Sequence, residues 1–105
     1  MNLSQVEWSS QLLQDDCAVI LDVRTEDECS DGIIPNAVII DIHKGQGFIY
    51  RLEELDKSKN YYVYCKAGSR SEMACSIMQQ MGFTTTFNLE GGFLNWEGDV
   101  VAPEL

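Results

Sequence analysis

The chain has 105 residues, which suits one domain, 1–105, built on a single core. Seven basic against seventeen acidic residues give a formal charge of −10. That balance excludes the basic footprint nucleic-acid binding requires, and no apolar run approaches the ~20 residues needed to span a membrane, so neither partner is expected. The acidity reads as a solubility feature. Salt screens it beyond ~8 Å at physiological strength, so a local cationic pocket can still attract an anion. The opening residues lack the basic and apolar regions of a signal peptide, and the expected location is the cytoplasm. Four cysteines, Cys17, Cys29, Cys65 and Cys75, fit neither C-x-x-C nor zinc spacing, and there is one histidine. They read as reduced thiols.

Taken in order, Ser4 and Glu7 form a capping box that opens a first helix, with Leu3 and Trp8 as its hydrophobic staple. Leu12 and Leu13 continue the apolar face, and Asp15-Asp16 ends it. Ala18 to Val23 is an apolar run with one acid, the pattern of a parallel strand buried on both faces. Asp22 within it is unfavourable unless paired, and Arg24 or nearby backbone donors are its candidate partners. Thr25 and Glu28 form another capping box, for a short helix through about Ser30. Cys29 lies in this short polar segment and is expected to be exposed. Gly32 ends the segment, and Ile33-Ile34-Pro35-Asn36 is a turn.

Ala37 to Ile42 is the next predicted strand, and His43 to Gly47 a loop. The lone His43 reads as a solvated loop residue, since nothing places it within hydrogen-bond reach of a reacting group. Phe48 to Leu55 is a short helix with Leu52 and Leu55 inward, followed by a polar connector, Asp56 to Asn60. Met73, Ala74, Ile77, Met78 and Met81 recur at helical spacing as core filler, with Cys75 also facing inward. Phe83 to Leu89 is the last strand. Gly91-Gly92 then turns the chain into a final short helix with Phe93, Leu94 and Trp96, where Trp96 covers the core edge. Val100 to Leu105 is too short for a separate unit. Strands alternating with helices predict a doubly wound parallel sheet with helices on both faces.

One stretch stands apart. Tyr61-Tyr62-Val63-Tyr64 is a β-branched and aromatic run that ends on Cys65, and Lys66-Ala67-Gly68-Ser69-Arg70-Ser71 leads into a helix. Ser69 and Glu72 match a capping box, which would start that helix just after Ser69. A thiol beside a helix N-terminus meets unpaired N–H groups and positive partial charge, and is driven toward thiolate. The same amides suit an anion. Arg70 is unhelpful to the helix dipole at this position, so it reads as charge placed at the mouth. Cys65 sits at the carboxyl end of a strand, where sites of such folds lie.

These residues resemble a known family. Cys65 to Ser71 is similar to the active-site loop of rhodanese-domain sulfurtransferases. Asp22-Val23-Arg24, the segment Glu28 to Ala37, and Asn88-Leu89-Glu90-Gly91-Gly92-Phe93 with Trp96 resemble further family motifs in the same order. Two positions depart from the pattern: Ile33 stands where the family has histidine, and Asn36 where it has glycine. The resemblance implies a rhodanese-like fold. It also implies sulfur transfer through a Cys65 persulfide, from thiosulfate or a persulfide donor to cyanide, a thiol or a sulfur-relay protein. Lys66, Ala67, Gly68, Ser69 and Arg70 would bind the anionic sulfur, Asp22 and Arg24 would support the site, and no metal or organic cofactor is implied. Rival readings are a protein-to-protein persulfide carrier, a regulatory binding module, and a cysteine phosphatase or arsenate reductase. The last group carries five residues between Cys and Arg, against four here.

Overall fold

The computed structural model describes residues 1–103. Glu104 and Leu105, the end of the tail read as too short for a separate unit, lie outside the described residues. Five strands, β1 (Asn2–Leu3), β2 (Ala18–Asp22), β3 (Val38–Ile39), β4 (Asn60–Tyr64) and β5 (Thr85–Leu89), form one sheet in the order β1-β5-β4-β2-β3. Every neighbouring pair is parallel. The α-helices are α1 (Gln5–Leu13), α2 (Glu26–Cys29), α3 (Gln46–Glu53) and α4 (Ser69–Gln80). No described helix is long and apolar enough to cross a membrane.

The central strand β4 explains the two layers. Successive strand side chains point to opposite faces. Tyr61, Val63 and Cys65 therefore join one core with Phe48 and Leu52 of α3 and Ala74, Cys75 and Met78 of α4. Tyr62 and Tyr64 join the other, with Trp8 of α1, Ile34 and Leu89. Trp8 is fully buried, packs edge-on against Tyr62, Tyr64 and Trp96, and donates its indole N–H to Phe87 O at 3.2 Å. Trp96 thus closes the edge of this second core, as the sequence implied.

Both local capping boxes at Ser4 and Thr25 are formed. Elsewhere tertiary context redraws the boundaries. The strand expected over Ala37–Ile42 keeps only Val38–Ile39, because Asp41 caps a 3₁₀ turn over Ile42–Lys44 by accepting the His43 N–H at 2.8 Å. His43 is exposed on that turn. The next helix starts at Gln46, inside the expected loop. Leu3, read only as part of a staple, joins Asn2 in an edge strand beside β5. Leu13 and Met73, assigned to apolar faces, point to solvent. Their helices lie against the sheet along one stripe, and these two positions fall outside it.

Order and direction together single out one end of the sheet. The chain leaves β2 toward β3 on one side and leaves β4 toward β5 on the other. The loops after β2 and β4 consequently diverge at the carboxyl end of the sheet, the usual place for a site in an open α/β fold. Asp22 and Tyr64 are register partners there. Arg24 and Cys65 follow them.

Candidate active site

Cys65 is 1% exposed at the end of β4. The backbone N–H of Gly68 donates to its Sγ at 3.0 Å, and Ser71 Oγ lies 3.3 Å away. Burial pushes the thiol pKa up. The hydrogen bond from Ser71 Oγ and the backbone N–H groups of Ser71, Gly68 and Ala67 outweigh it, leaving Cys65 below the ordinary thiol value. The loop thereby shifts Cys65 from the neutral thiol toward the sulfur anion.

The loop is shaped differently from the capping box expected at Ser69 and Glu72. Ser69 is already helical, and Gly68 is the N-cap, at φ +110 with no side-chain cap. The Gly68 carbonyl accepts from Glu72 N at 3.1 Å, while the Glu72 carboxylate accepts instead from Asn2 Nδ2 at 3.1 Å. A side chain at position 68 would be strained by this left-handed backbone. With the helix starting one residue earlier, the N–H of Gly68 can point at sulfur.

A second glycine supports the loop from behind. Phe93 N donates to Cys65 O at 2.8 Å, and Leu94 N to Lys66 O at 2.9 Å. A Cβ on Gly92 would stand 2.5 Å from Lys66 O and 2.7 Å from Cys65 O. Gly91-Gly92 is therefore part of the site's construction as well as a turn. The sequence signal was the glycine pair itself, but its partner was not visible.

The two arginines near the loop, Arg24 and Arg70, are both engaged. Arg24 is 3% exposed and grips Asp22 through Nε at 3.0 Å and Nη2 at 2.8 Å. It also donates to Gly32 O at 2.8 Å and lies over the Phe93 ring at 4.2 Å. The buried acid Asp22 has found its partner. Arg70, at the loop mouth, is held by Glu28 in a bidentate pair at 2.7 and 2.8 Å. The hydrogen bond from Arg70 pulls Glu28 down to about 2, against the burial that raises it, and Thr25 assists. Arg70 is itself raised, chiefly by Glu28, with the Cys65 charge contributing. Glu28 as the holder of Arg70 was not foreseen from sequence. Lys66, Ala67 and Ser69 are exposed around the loop.

The other thiols are separated from this chemistry. Cys29, expected to be exposed, is 2% exposed. Its Sγ lies 3.4 Å from Asp22 Oδ2, and burial together with that carboxylate pushes its pKa up to about 12. One side of the short helix α2 faces the Asp22–Arg24 pair, which draws Cys29 inward despite its polar neighbours. Burial likewise raises Cys75. Cys17 is exposed. A cleft of about 970 Å³ lies between α1, β2 and the 34–36 turn, and no residue of the Cys65 loop lines it. Converging donors, rather than volume, define an anion cradle, and the Cys65 loop has them.

A rhodanese-like domain model matches residues 5–99. The chain belongs to the rhodanese-like family. It is 36% identical over 98 residues to the "Putative sulfurtransferase YtwF" of Bacillus subtilis, covering 92% of this chain and 90% of that protein. It is 32% identical over 99 residues to a "Sulfurtransferase" of Allochromatium vinosum, covering 91% and 90%. The crystal structure of a rhodanese-like domain protein from Staphylococcus aureus superposes with a TM-score of 0.83 at 30% identity, covering 98% of both chains. The rhodanese-like fold expected from the motifs is therefore present.

The two departures from the rhodanese pattern have local explanations. Ile33 is 6% exposed and exchanges backbone hydrogen bonds with Val101, at 2.8 and 2.9 Å. An apolar side chain suits that packed bridge. Asn36 takes φ +71, a backbone conformation that asparagine tolerates better than most residues in place of glycine.

Proposed function

We propose that this rhodanese-like domain is a sulfurtransferase that carries sulfane sulfur as a Cys65 persulfide. The observation that supports this most directly is the buried Sγ with Gly68 N–H and Ser71 Oγ converging on it. The Cys65 thiolate attacks the outer sulfur of thiosulfate or of a donor persulfide. The donor S–S bond breaks, and sulfite or a donor thiolate leaves with the electron pair. An acceptor thiolate or cyanide then attacks the outer sulfur and expels the Cys65 thiolate. Splitting the transfer this way gives ping-pong kinetics. Amides of the Lys66–Arg70 loop hold the anionic sulfur, and Lys66 and Arg70 attract the donor's negative end. Asp22 and Arg24 support the loop without touching the substrate. Neither step requires a metal or organic cofactor.

A protein-to-protein carrier is the second reading, and the Arg70–Glu28 pair favours it. With Arg70 partly neutralised and a chain charge of −10, a small dianion gains less at the mouth than a docked protein donor would. Intact-mass measurement after exposure to thiosulfate tests both readings, with Cys65→Ser alongside. A gain of about 32 Da, one sulfur atom, lost on adding cyanide and absent in Cys65→Ser, is expected of this nucleophile. Loading only from a persulfidated protein would select the carrier. Full sulfur transfer by Cys65→Ser would overturn both.

A further inference from the structure

Ser71, on the first turn of α4, is fully buried beneath Cys65. Its hydroxyl has one proton to donate and three neighbours able to accept it. These are Cys65 Sγ at 3.3 Å, Gly68 O at 3.1 Å, and Asn88 Oδ1 in close contact. Gly68 O already accepts from Glu72 N at 3.1 Å and from Asn88 Nδ2 at 3.2 Å, which occupies both of its lone pairs. The Ser71 proton is left with two takers, the Asn88 amide oxygen and the Cys65 sulfur.

The orientation of Asn88 is fixed by its surroundings. Its Nδ2 faces two oxygens, Gly68 O and Asn2 Oδ1, the latter at 3.0 Å. Turning the amide over would set its oxygen against the Gly68 carbonyl. Asn88 Oδ1 therefore faces Ser71, and Ser71 Oγ is its only side-chain donor among the described residues. Asn88 is 2% exposed, so no solvent stands ready to replace that donor.

We propose that Asn88 is a positioning residue for the Cys65 chemistry that acts through Ser71. Its carboxamide oxygen holds the Ser71 proton while Sγ is uncharged and yields it when Sγ becomes a thiolate. This rests on the reading of Cys65 as the sulfur-carrying nucleophile. In the loaded form the negative charge sits on the outer sulfur, Sγ is neutral, and Ser71 donates to Asn88. When an acceptor thiolate bonds to the outer sulfur, the S–S bond breaks and its electron pair stays on Sγ. The Ser71 O–H then swings to that sulfur, and no proton changes owner. Asn88 lacks its donor only in the free-thiolate form. It thereby disfavours that form and makes the site hold its sulfur more firmly.

The test is the pH profile of Cys65 alkylation by iodoacetamide, read on the Cys65 peptide because Cys17 is exposed and reacts too. Wild type is compared with Asn88→Leu, Ser71→Ala and the double variant. The charged groups on the elements meeting at the loop are unchanged throughout: Lys66, Arg70, Glu28, Glu72, Glu90, and the pair Asp22 and Arg24. Removing an acceptor left unsatisfied only beside the thiolate should raise the thiolate fraction below the pKa by about threefold to tenfold in Asn88→Leu. Ser71→Ala should lower that fraction, and the double variant should match Ser71→Ala. Asn88→Leu also frees a lone pair of Gly68 O for the Ser71 proton. No shift in that variant therefore overturns the proposal when the Asn88 ¹³Cγ resonance of the wild type also fails to titrate with Cys65. The same shift with Ser71 absent overturns it outright. If Asn88→Leu does not fold, the Asn88 ¹³Cγ resonance of the wild type serves instead. It should titrate with Cys65 and cease to do so in Ser71→Ala, whereas a flat resonance in wild type overturns the proposal. Failure to load sulfur from any donor would remove the sulfur-transfer reading while leaving the alkylation result interpretable.

Discussion

Two arginine–carboxylate pairs flank the Cys65 loop, and their settings are very different. Arg24–Asp22 is sealed, with side chains 3% and 0% exposed, and the guanidinium also serves Gly32 O and stacks on Phe93. Arg70–Glu28 is about a quarter exposed on each side, at the mouth of the Cys65 loop. The residue chemistry is the same in both, and burial separates the roles. A sealed pair cannot lose a partner without stranding a charge, so it braces the fold. A half-open pair can exchange its partner for an incoming anion, so it is suited to binding.

The largest effect that would test this contrast is on Arg24. Arg24→Ala leaves Asp22 buried and unpaired and should destabilise the fold by about 3–5 kcal/mol, measured by urea unfolding. A loss below about 1 kcal/mol, the range of surface pairs, would erase the distinction. Arg70→Ala should change stability by less than about 1 kcal/mol. It should nevertheless lower the rate of sulfur loading from thiosulfate about tenfold, as expected for one lost charge-assisted contact. Stability and loading are thus predicted to separate at Arg70.

Acid sharpens the same comparison. The folded-state pKa of Glu28 is depressed to about 2 from an ordinary 4.5. Its contribution to stability is fully present above pH 4.5 and is lost as pH falls toward 2. Glu28→Gln should remove that part of the acid transition in pH-dependent unfolding. The smallest expected effect is kinetic. Glu28→Gln frees Arg70 and should speed thiosulfate loading by about twofold to threefold, with the gain shrinking as salt rises. A slower rate would mean that Glu28 orients Arg70 for the donor and does not compete with it.

Features set by local sequence were legible in advance. The capping boxes at Ser4 and Thr25 and the apolar run Ala18 to Val23 each depend on residues a few positions apart; the boxes formed as read, and the run forms β2 up to Asp22. The strand–loop–helix around Cys65 was equally local, and its sulfur lies where amides converge. What was missed is long-range. Glu28 meets Arg70 across 42 positions, and Asn88 reaches Ser71 across 17. The capping box at Ser69 failed for a related reason. Glu72, three residues on, had a competing donor in Asn2, 70 positions away. Cys29 likewise followed the charge pair beneath it rather than its polar neighbours in the chain.

The tight seat of Gly92 has a consequence for polarity at the loop surface. The carbonyl oxygens of Cys65 and Lys66 are tied back by Phe93 and Leu94, and that of Gly68 is tied by Glu72 and Asn88. Three of the loop's acceptors are thus turned away from the sulfur, and what approaches Sγ meets donors. A side chain at position 92 would push the two strips of backbone apart and let a peptide plane rotate, exchanging an N–H for a carbonyl beside the sulfur. The orientation of that one peptide, set by a residue behind the loop, decides whether the cradle would invite an anion or repel it.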